Sequence, residues 1–371
     1  MYTHTGHDVF AQYECMKNWG IRIKPFKELY WNGVNLGGWI SQYAEGLQMY
    51  AAHFDTFIRE NDLEQIAGWG FDHVRLPVDY MIFEKDSAPG VYDEDGLKHI
   101  DDCVRWCKNY GLNVIIDLHH APGFSFHTLD TNTLFTDPDM GDRMSAIWVN
   151  FAKRYLSQRD NVAFELMNEI VEPDSVRWND LAARLVADIR AVDPNRYIII
   201  GGNNYNAVSE LRNIRLIPED DRIVYTFHFY EPILFTHQLA GWNAVNMAYG
   251  EKPLYPAVFP HIREFVGKYP EYAQAKALED LFVDINVLRE MLQPAVDFIQ
   301  NTGRTLYCGE YGVIDHTDPE SRRNWHRDFI TIMDGIGIGR AVWSYKLMGF
   351  KLVERDGSVA DQALVDVIRA R

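Results

Sequence analysis

A chain of 371 residues, 47% hydrophobic and 13% aromatic, carries enough apolar material for a large core, built either as one big barrel or as two ordinary domains. Its net charge of −17 is spread without an acidic tail, which argues for solubility and against nucleic acid or an anionic membrane surface as partner, so a neutral ligand fits best. Four cysteines in this length make no disulfide framework, and all four are expected to be reduced thiols.

The opening MYTHTGHDVFAQYECMKNWG reads as an irregular cover. It has no basic stretch leading into an apolar core of the secretory type, and no apolar run of about 18 residues occurs along the chain. No membrane association is expected. The compartment is left open between the cytoplasm and secretion with a leader removed.

The first predicted strand is Tyr30 to Trp39, which runs into a glycine turn. Apolar spacing then predicts a helix from Phe57 to Trp69, with Asn61 and Glu64 resembling a capping box and Gly70 ending it. A second strand covers Phe71 to Pro77. A helix follows from Leu97 to Tyr110, with Cys103 and Cys107 one turn apart, and then a third strand from Leu112 to His120. Next come a helix near Gly141 to Tyr155, a fourth strand at Val162 to Met167 and a helix near Ser175 to Val192. Tyr197 to Gly202 reads as strand five, Ala207 to Leu216 as a short helix and Ile223 to Tyr230 as strand six.

There the rhythm breaks. About fifty residues rich in Pro, Tyr and Trp, at about 231–281, form a predicted insertion, and one of that length is usually a lid or carries function. A helix from Val283 to Gln300, strand seven at Thr305 to Glu310, a helix at Glu320 to Met333, strand eight at Arg340 to Tyr345 and a closing helix near Asp361 to Arg371 complete the pattern.

Eight strands alternating with helices, too apolar to have a wet face, imply a parallel sheet covered by helices. The count of eight suits a closed (β/α)8 TIM barrel, and no GxGxxG turn follows the first strand to favour an open, doubly wound sheet. With no composition break to mark a linker, residues 1–371 are expected to form one α/β domain with an insertion after strand six.

In such a barrel the active site lies at the carboxyl ends of the strands. Polar residues gather there: Arg75, His119 with His120, Asn168 with Glu169, His228 with Tyr230, Glu310 and Trp343. Any one of these has a bland explanation, such as a loop tether or a satisfied core histidine. Five of the eight strand ends supply an ionisable group, however, and scattered surface residues would not choose one end so often. Two carboxylates at strand ends suit glycoside hydrolysis, which needs one carboxylic acid to protonate the leaving oxygen and a second carboxylate to attack C1 or activate water. Glu165 and Asp117 fall before the strand ends and are expected to partner inward-pointing polar groups without being catalytic.

The strings GVNLGGW, VRLP, IIDLHHAPG, FELMNE, YIIIGGNNYN, VYTFHFY, LYCGEYGV and AVWSYK stand in order at successive strand ends. From about Tyr30 to the C-terminus the chain resembles glycoside hydrolase family 5, most closely its single-domain clostridial-type endoglucanases. That resemblance implies a retaining (β/α)8 enzyme without metal or cofactor, with Glu169 as acid/base and Glu310 as nucleophile. Arg75, His119, Asn168, His228, Tyr230 and Trp343 match the family's remaining site positions. His120 either contacts sugar or lines the rim. Trp343 is the expected stacking platform beside the reacting sugar, and Trp242, in the insertion, matches a position in the clostridial relatives that could cover a further subsite. Asn35 and Asn204 are further candidates for substrate contact.

The expected activity is therefore an endo-β-1,4-glucanase acting on cellulose-type or mixed-linkage β-glucans and cello-oligosaccharides, as a monomer. A β-1,3-glucanase, a β-mannanase or an exo-acting β-glucosidase would use the same frame. A non-catalytic carbohydrate-binding barrel should have lost one carboxylate. A metal-dependent hydrolase would need clustered ligands, and the adjacent His119 and His120 are expected to point to opposite faces of their strand.

Overall fold

The computed structural model describes residues 24–43, 52–159 and 161–370. The N-terminal cover and Cys15 lie outside these residues. Eight parallel strands close into a barrel: β1 (Asn32–Asn35), β2 (His73–Asp79), β3 (Asn113–His120), β4 (Val162–Glu165), β5 (Ile198–Gly201), β6 (Ile223–Phe229), β7 (Leu306–Tyr311) and β8 (Gly339–Val342). Each pairs with its neighbour in sequence, and β8 returns to β1 through Asn32↔Arg340. The (β/α)8 architecture read from the alternation is the one observed.

The strands are buried on both faces, by the helices outside and by one another within the barrel. Along β3, Val114, Ile116 and Leu118 join the large core under the helices, whereas Ile115 belongs to a separate cluster inside the barrel with Ala163, Ile199, Val224, Tyr307 and Ala341. Phe26 and Tyr30 close the bottom of that inner cluster. Since side chains alternate along a strand, Asp117 and His119 share the inward face of Ile115, further towards the carboxyl end. The interior thus changes from apolar at the bottom to charged at the top.

The helices follow the expected order with shifted ends. Helix Glu94–Asn109 is capped by Asp93, whose carboxylate accepts the Asp95 N–H at 3.0 Å, and it buries Leu97, Ile100, Cys103, Val104 and Cys107 at helical spacing. Cys103, Cys107 and Cys308 are free and buried.

Three expectations need correction. The capping pair is Arg59 with Asp62, whose carboxylate accepts the Arg59 N–H at 2.8 Å, so the helix starts at Glu60 and not earlier. The helix expected over Val283 to Gln300 is two helices, Ile285–Met291 and Gln293–Thr302. Pro294, which has no N–H to donate, sits in the first turn of the second. The segment Val208–Asn213 is a 3-10 helix.

Between β6 and β7 the chain forms short helices at Ile233–Thr236, Ala244–Tyr249 and Ile262–Lys268, with a two-stranded antiparallel ribbon of Ala257–Val258 against Phe282–Val283. No helix among the described residues is long and apolar enough to cross a membrane.

Candidate active site

Arg75, inward on β2 and fully buried, organises the carboxyl end of the barrel. Its Nε and Nη2 donate to the two oxygens of Glu165 at 2.7 and 2.9 Å, a bidentate fork. Nη1 donates to Asn35 Oδ1 at 3.0 Å and to Glu310 Oε1 at 2.6 Å, and Nη2 also reaches Asn168 Oδ1 at 3.0 Å. Asp117 Oδ2 lies 3.0 Å from Nη2. Glu165 and Asp117 therefore hold the guanidinium in place. Asn35 does the same from β1: it is fully buried, with its carboxamide nitrogen 3.0 Å from the Gly309 carbonyl, so it supports Arg75 and has no surface to offer a ligand.

Two carboxyl groups meet above this layer. The backbone of Asn168 donates to Leu118 O at 3.0 Å, which anchors the chain beyond β4 to β3, and Glu169 follows with φ of 34°. A non-glycine residue in that region is sterically strained, and such outliers concentrate at functional sites. Glu310 comes from β7, across the barrel with β5 and β6 between. The pairing of β6 with β7 skips one residue, so that Phe227 faces Cys308 and His228 faces Glu310. The skipped residue is Gly309, where a Cβ would come within 3.2 Å of the His228 ring. The missing side chain lets His228 and Glu310 face the same space.

His228 Nδ1 lies 2.8 Å from Glu169 Oε1 and 3.6 Å from Glu310 Oε2. Donor atoms of Glu169, His228 and Glu310 all fall within 4.8 Å of one another, the one such trio among the described residues. The Tyr230 hydroxyl donates to Glu310 Oε2 at 2.9 Å. Glu310 thus accepts a cationic and a phenolic donor, while Glu169 is hydrogen-bonded to an imidazole. Burial pushes both carboxyl groups up, Glu310 to about 7 and Glu169 well above the usual carboxylate range. Arg75 and Tyr230 hold Glu310 back, whereas Glu169 is raised again by the charge of Glu310. Burial also raises Asp117 and Glu165, each to about 7. Several carboxyl groups around one fixed cation cannot all ionise, so protons stay in the site. Burial drives His119 and His228 well below the usual imidazole range, which keeps both rings neutral.

His119 stacks on Trp343 with ring centroids 5.9 Å apart and an interplanar angle of 5°, and its Nδ1 lies 2.7 Å from Asp117 Oδ2. The expectation that His119 and His120 face opposite ways fails. Their rings are 5.8 Å apart and both contact Phe126, because a shift in the β2–β3 register between Val78 and Asp79 interrupts the alternation. His120 is held by Asp79 at 2.7 Å and is nearly buried.

Trp343 is only 6% exposed, while Trp242 is 67% exposed and lies over Gly349. Asn204 is exposed and borders a polar concavity of about 570 Å³ shared with Glu172, Asp174 and Asn203. Two contributors escaped the sequence reading. Asp79 orients His120, and Asn206 lies 3.4 Å from His228. Neither has a signal beyond its place just after or within a motif, since loop side chains are aimed by backbone dihedrals that no spacing rule encodes.

Residues 31–349 match the family model described as cellulase (glycosyl hydrolase family 5). The chain is 49% identical to Endoglucanase C of Acetivibrio thermocellus over 340 residues, 91% of this chain and 98% of that protein. Cellodextrinase A of Ruminococcus flavefaciens is 36% identical over 310 residues, 83% of each. A solved structure titled endoglucanase superposes with a TM-score of 0.73 at 25% identity, covering 93% of this chain and 98% of that one. The alternating strands, the carboxyl pair at the barrel mouth and these matches agree: this chain is a member of glycosyl hydrolase family 5, the cellulase family.

Proposed function

We propose that this protein is a retaining endo-β-1,4-glucanase, cleaving internal bonds of cellulose-type or mixed-linkage β-glucans and of cello-oligosaccharides. The observation that carries the reading is the unequal pair Glu169 and Glu310. Their nearest oxygens lie within 4.8 Å, on the scale of the roughly 5 to 5.5 Å typical of retaining enzymes and short of the roughly 6.5 to 9.5 Å that leaves room for an inverting water. The name and near-complete coverage of the endoglucanase relative support the substrate class.

In the first step a Glu310 carboxylate oxygen attacks C1 of the sugar and forms an ester bond. The C1–O bond to the leaving chain breaks with its electron pair going to that oxygen, which takes the proton of Glu169. In the second step Glu169, now ionised, takes a proton from water as its oxygen attacks C1, and the bond to Glu310 breaks. The anomeric configuration is retained over the two displacements. Arg75 and Tyr230 favour the ionised form of Glu310 over that of Glu169 and then stabilise Glu310 as the leaving carboxylate. Asn168, its Oδ1 fixed by Arg75, is placed to hold the 2-hydroxyl next to the reacting carbon. Trp343 serves as the stacking platform beside the reacting sugar, with the His119 ring lying parallel to it.

The test is the early product pattern on cellohexaose and laminarihexaose in parallel, with the anomer of the first product read by proton NMR. Internal fragments from cellohexaose as the β anomer are expected. Stepwise glucose release, attack on laminarihexaose or an α product would overturn the reading.

A further inference from the structure

We infer that Asn206 is a positioning residue that fixes the ring tautomer of His228, and thereby keeps the transferable proton of Glu169 on the carboxyl oxygen that His228 does not touch. This rests on the acid/base role proposed for Glu169.

Asn206 stands outside the residues assigned to the site, in the turn after β5, and it is 1% exposed. Asn204, Tyr205 and Asn206 take successive φ values of 48°, 60° and 54°, a left-handed run that asparagine tolerates better than most residues. This turn brings the next residue, Ala207, alongside β6 in a parallel bridge to His228. The Asn206 carboxamide fills a slot that exists because residue 201 is glycine, where a Cβ would sit 2.2 Å from Asn206 Oδ1. A costly backbone, a buried amide and a vacated wall converge on one contact, Asn206 Nδ2 to His228 Nε2 at 3.4 Å. The other end of the carboxamide, Oδ1, has no hydrogen-bond partner among the described residues, so the group is not there to tie down its own loop.

A neutral imidazole carries one proton, and its two nitrogens must then play opposite roles. Donation from Asn206 Nδ2–H makes Nε2 the acceptor and places the ring proton on Nδ1. Nδ1–H can then donate to Glu169 Oε1 across the 2.8 Å contact. With Oε1 occupied as an acceptor, the acid proton of Glu169 has one place left, Oε2. In the other tautomer Nδ1 would offer a lone pair to Oε1, draw the acid proton into that contact and hold it away from the glycosidic oxygen. Asn206 therefore acts on the proton's address through His228, without touching substrate.

The direct test is NMR of the full-length enzyme labelled with 15N at histidine, with the His228 signal identified by its loss in His228→Phe. The expected wild-type spectrum has Nδ1 protonated and Nε2 unprotonated. In Asn206→Asp, whose carboxylate accepts from Nε2–H, and in Asn206→Leu, which makes no hydrogen bond, the proton should move to Nε2. A wild-type Nε2–H tautomer overturns the proposal without any variant, as does a tautomer that ignores both substitutions. Kinetics supply a second readout: in Asn206→Asp, kcat/KM for cellotetraose should fall at least tenfold more than for 2,4-dinitrophenyl β-cellobioside, whose leaving group needs no proton. Equal losses on the two substrates would mean a structural role only. If Glu169→Ala also lowered both alike, the acid/base assignment itself would be wrong, while the His228 tautomer would still be read independently.

Discussion

The Arg75 guanidinium donates to Glu310 at 2.6 Å, and its other contacts go to Glu165, Asp117, Asn35 and Asn168, so its charge is bonded to one member of the carboxyl pair and not to the other. This asymmetry separates the two roles. A carboxylate tied to a buried cation stays ionised more readily than its neighbour, and the neighbour, raised by burial and by that ionised charge, keeps its proton.

Glu310→Ala should lower kcat on the order of 10³-fold or more, since no carboxylate remains to attack C1. Added azide or formate should restore turnover and yield the product of opposite anomeric configuration, read by proton NMR. Rescue with retention would place the nucleophile elsewhere.

Glu169→Ala should cost about 10²- to 10⁴-fold on cello-oligosaccharides, the usual range for general acid catalysis, and far less on the first step with a dinitrophenyl leaving group. Burst kinetics on the activated substrate would separate the two steps. Equal losses on both substrate types would sink the role assignment.

Arg75→Met should leave Glu165, Asp117 and Glu310 without their cation in a buried layer, and removing one partner of such a network costs about 3 to 5 kcal/mol. A denaturant titration would measure it. Arg75→Lys keeps charge but not the fork. With its hold on Glu310 weakened, the Glu310 pKa should rise, and the acid limb of kcat/KM should move to higher pH.

The ligand-free protein should lose stability as pH rises from about 4.5 to about 7. In this window Asp117, Glu165 and Glu310 keep protons in the folded state, where burial raises each to about 7, whereas the unfolded chain has already released them. The folded state binds more protons, so deprotonation favours unfolding. A melting temperature at pH 5 above that at pH 8, with a smaller difference in Glu310→Gln, is the expected result. A rising trend over the same range would contradict the buried-acid picture.

Trp242→Ala should leave the melting temperature nearly unchanged, because the ring is largely exposed over Gly349. If the ring stacks on sugar, KM for cellohexaose should rise several-fold more than KM for cellotriose. Equal effects on both lengths would count against a remote platform.

The repeating alternation of apolar strands and amphipathic helices was enough to give eight parallel strands in a closed barrel, because each element's periodicity is a local property that each segment carries whole. The same holds for the polar residues at the strand ends: inward alternation puts Arg75, Asp117, Glu165 and Glu310 in one enclosed layer whatever the loops do. Helix ends were less legible, as with the break at Pro294, since competing caps differ by small energies that neighbouring contacts decide.

Folding alone decided the division of labour within the site. Asn35 and Asn204 read alike along the chain, yet one is sealed beneath Arg75 and the other is open to solvent. His119 and His120 became neighbours through a register shift, and Asn206 met His228 through three left-handed residues. These outcomes depend on strand stagger and backbone dihedrals summed around a closed barrel. Periodicity names the residues that face inward, but only closure sets which of them come within a hydrogen bond of one another.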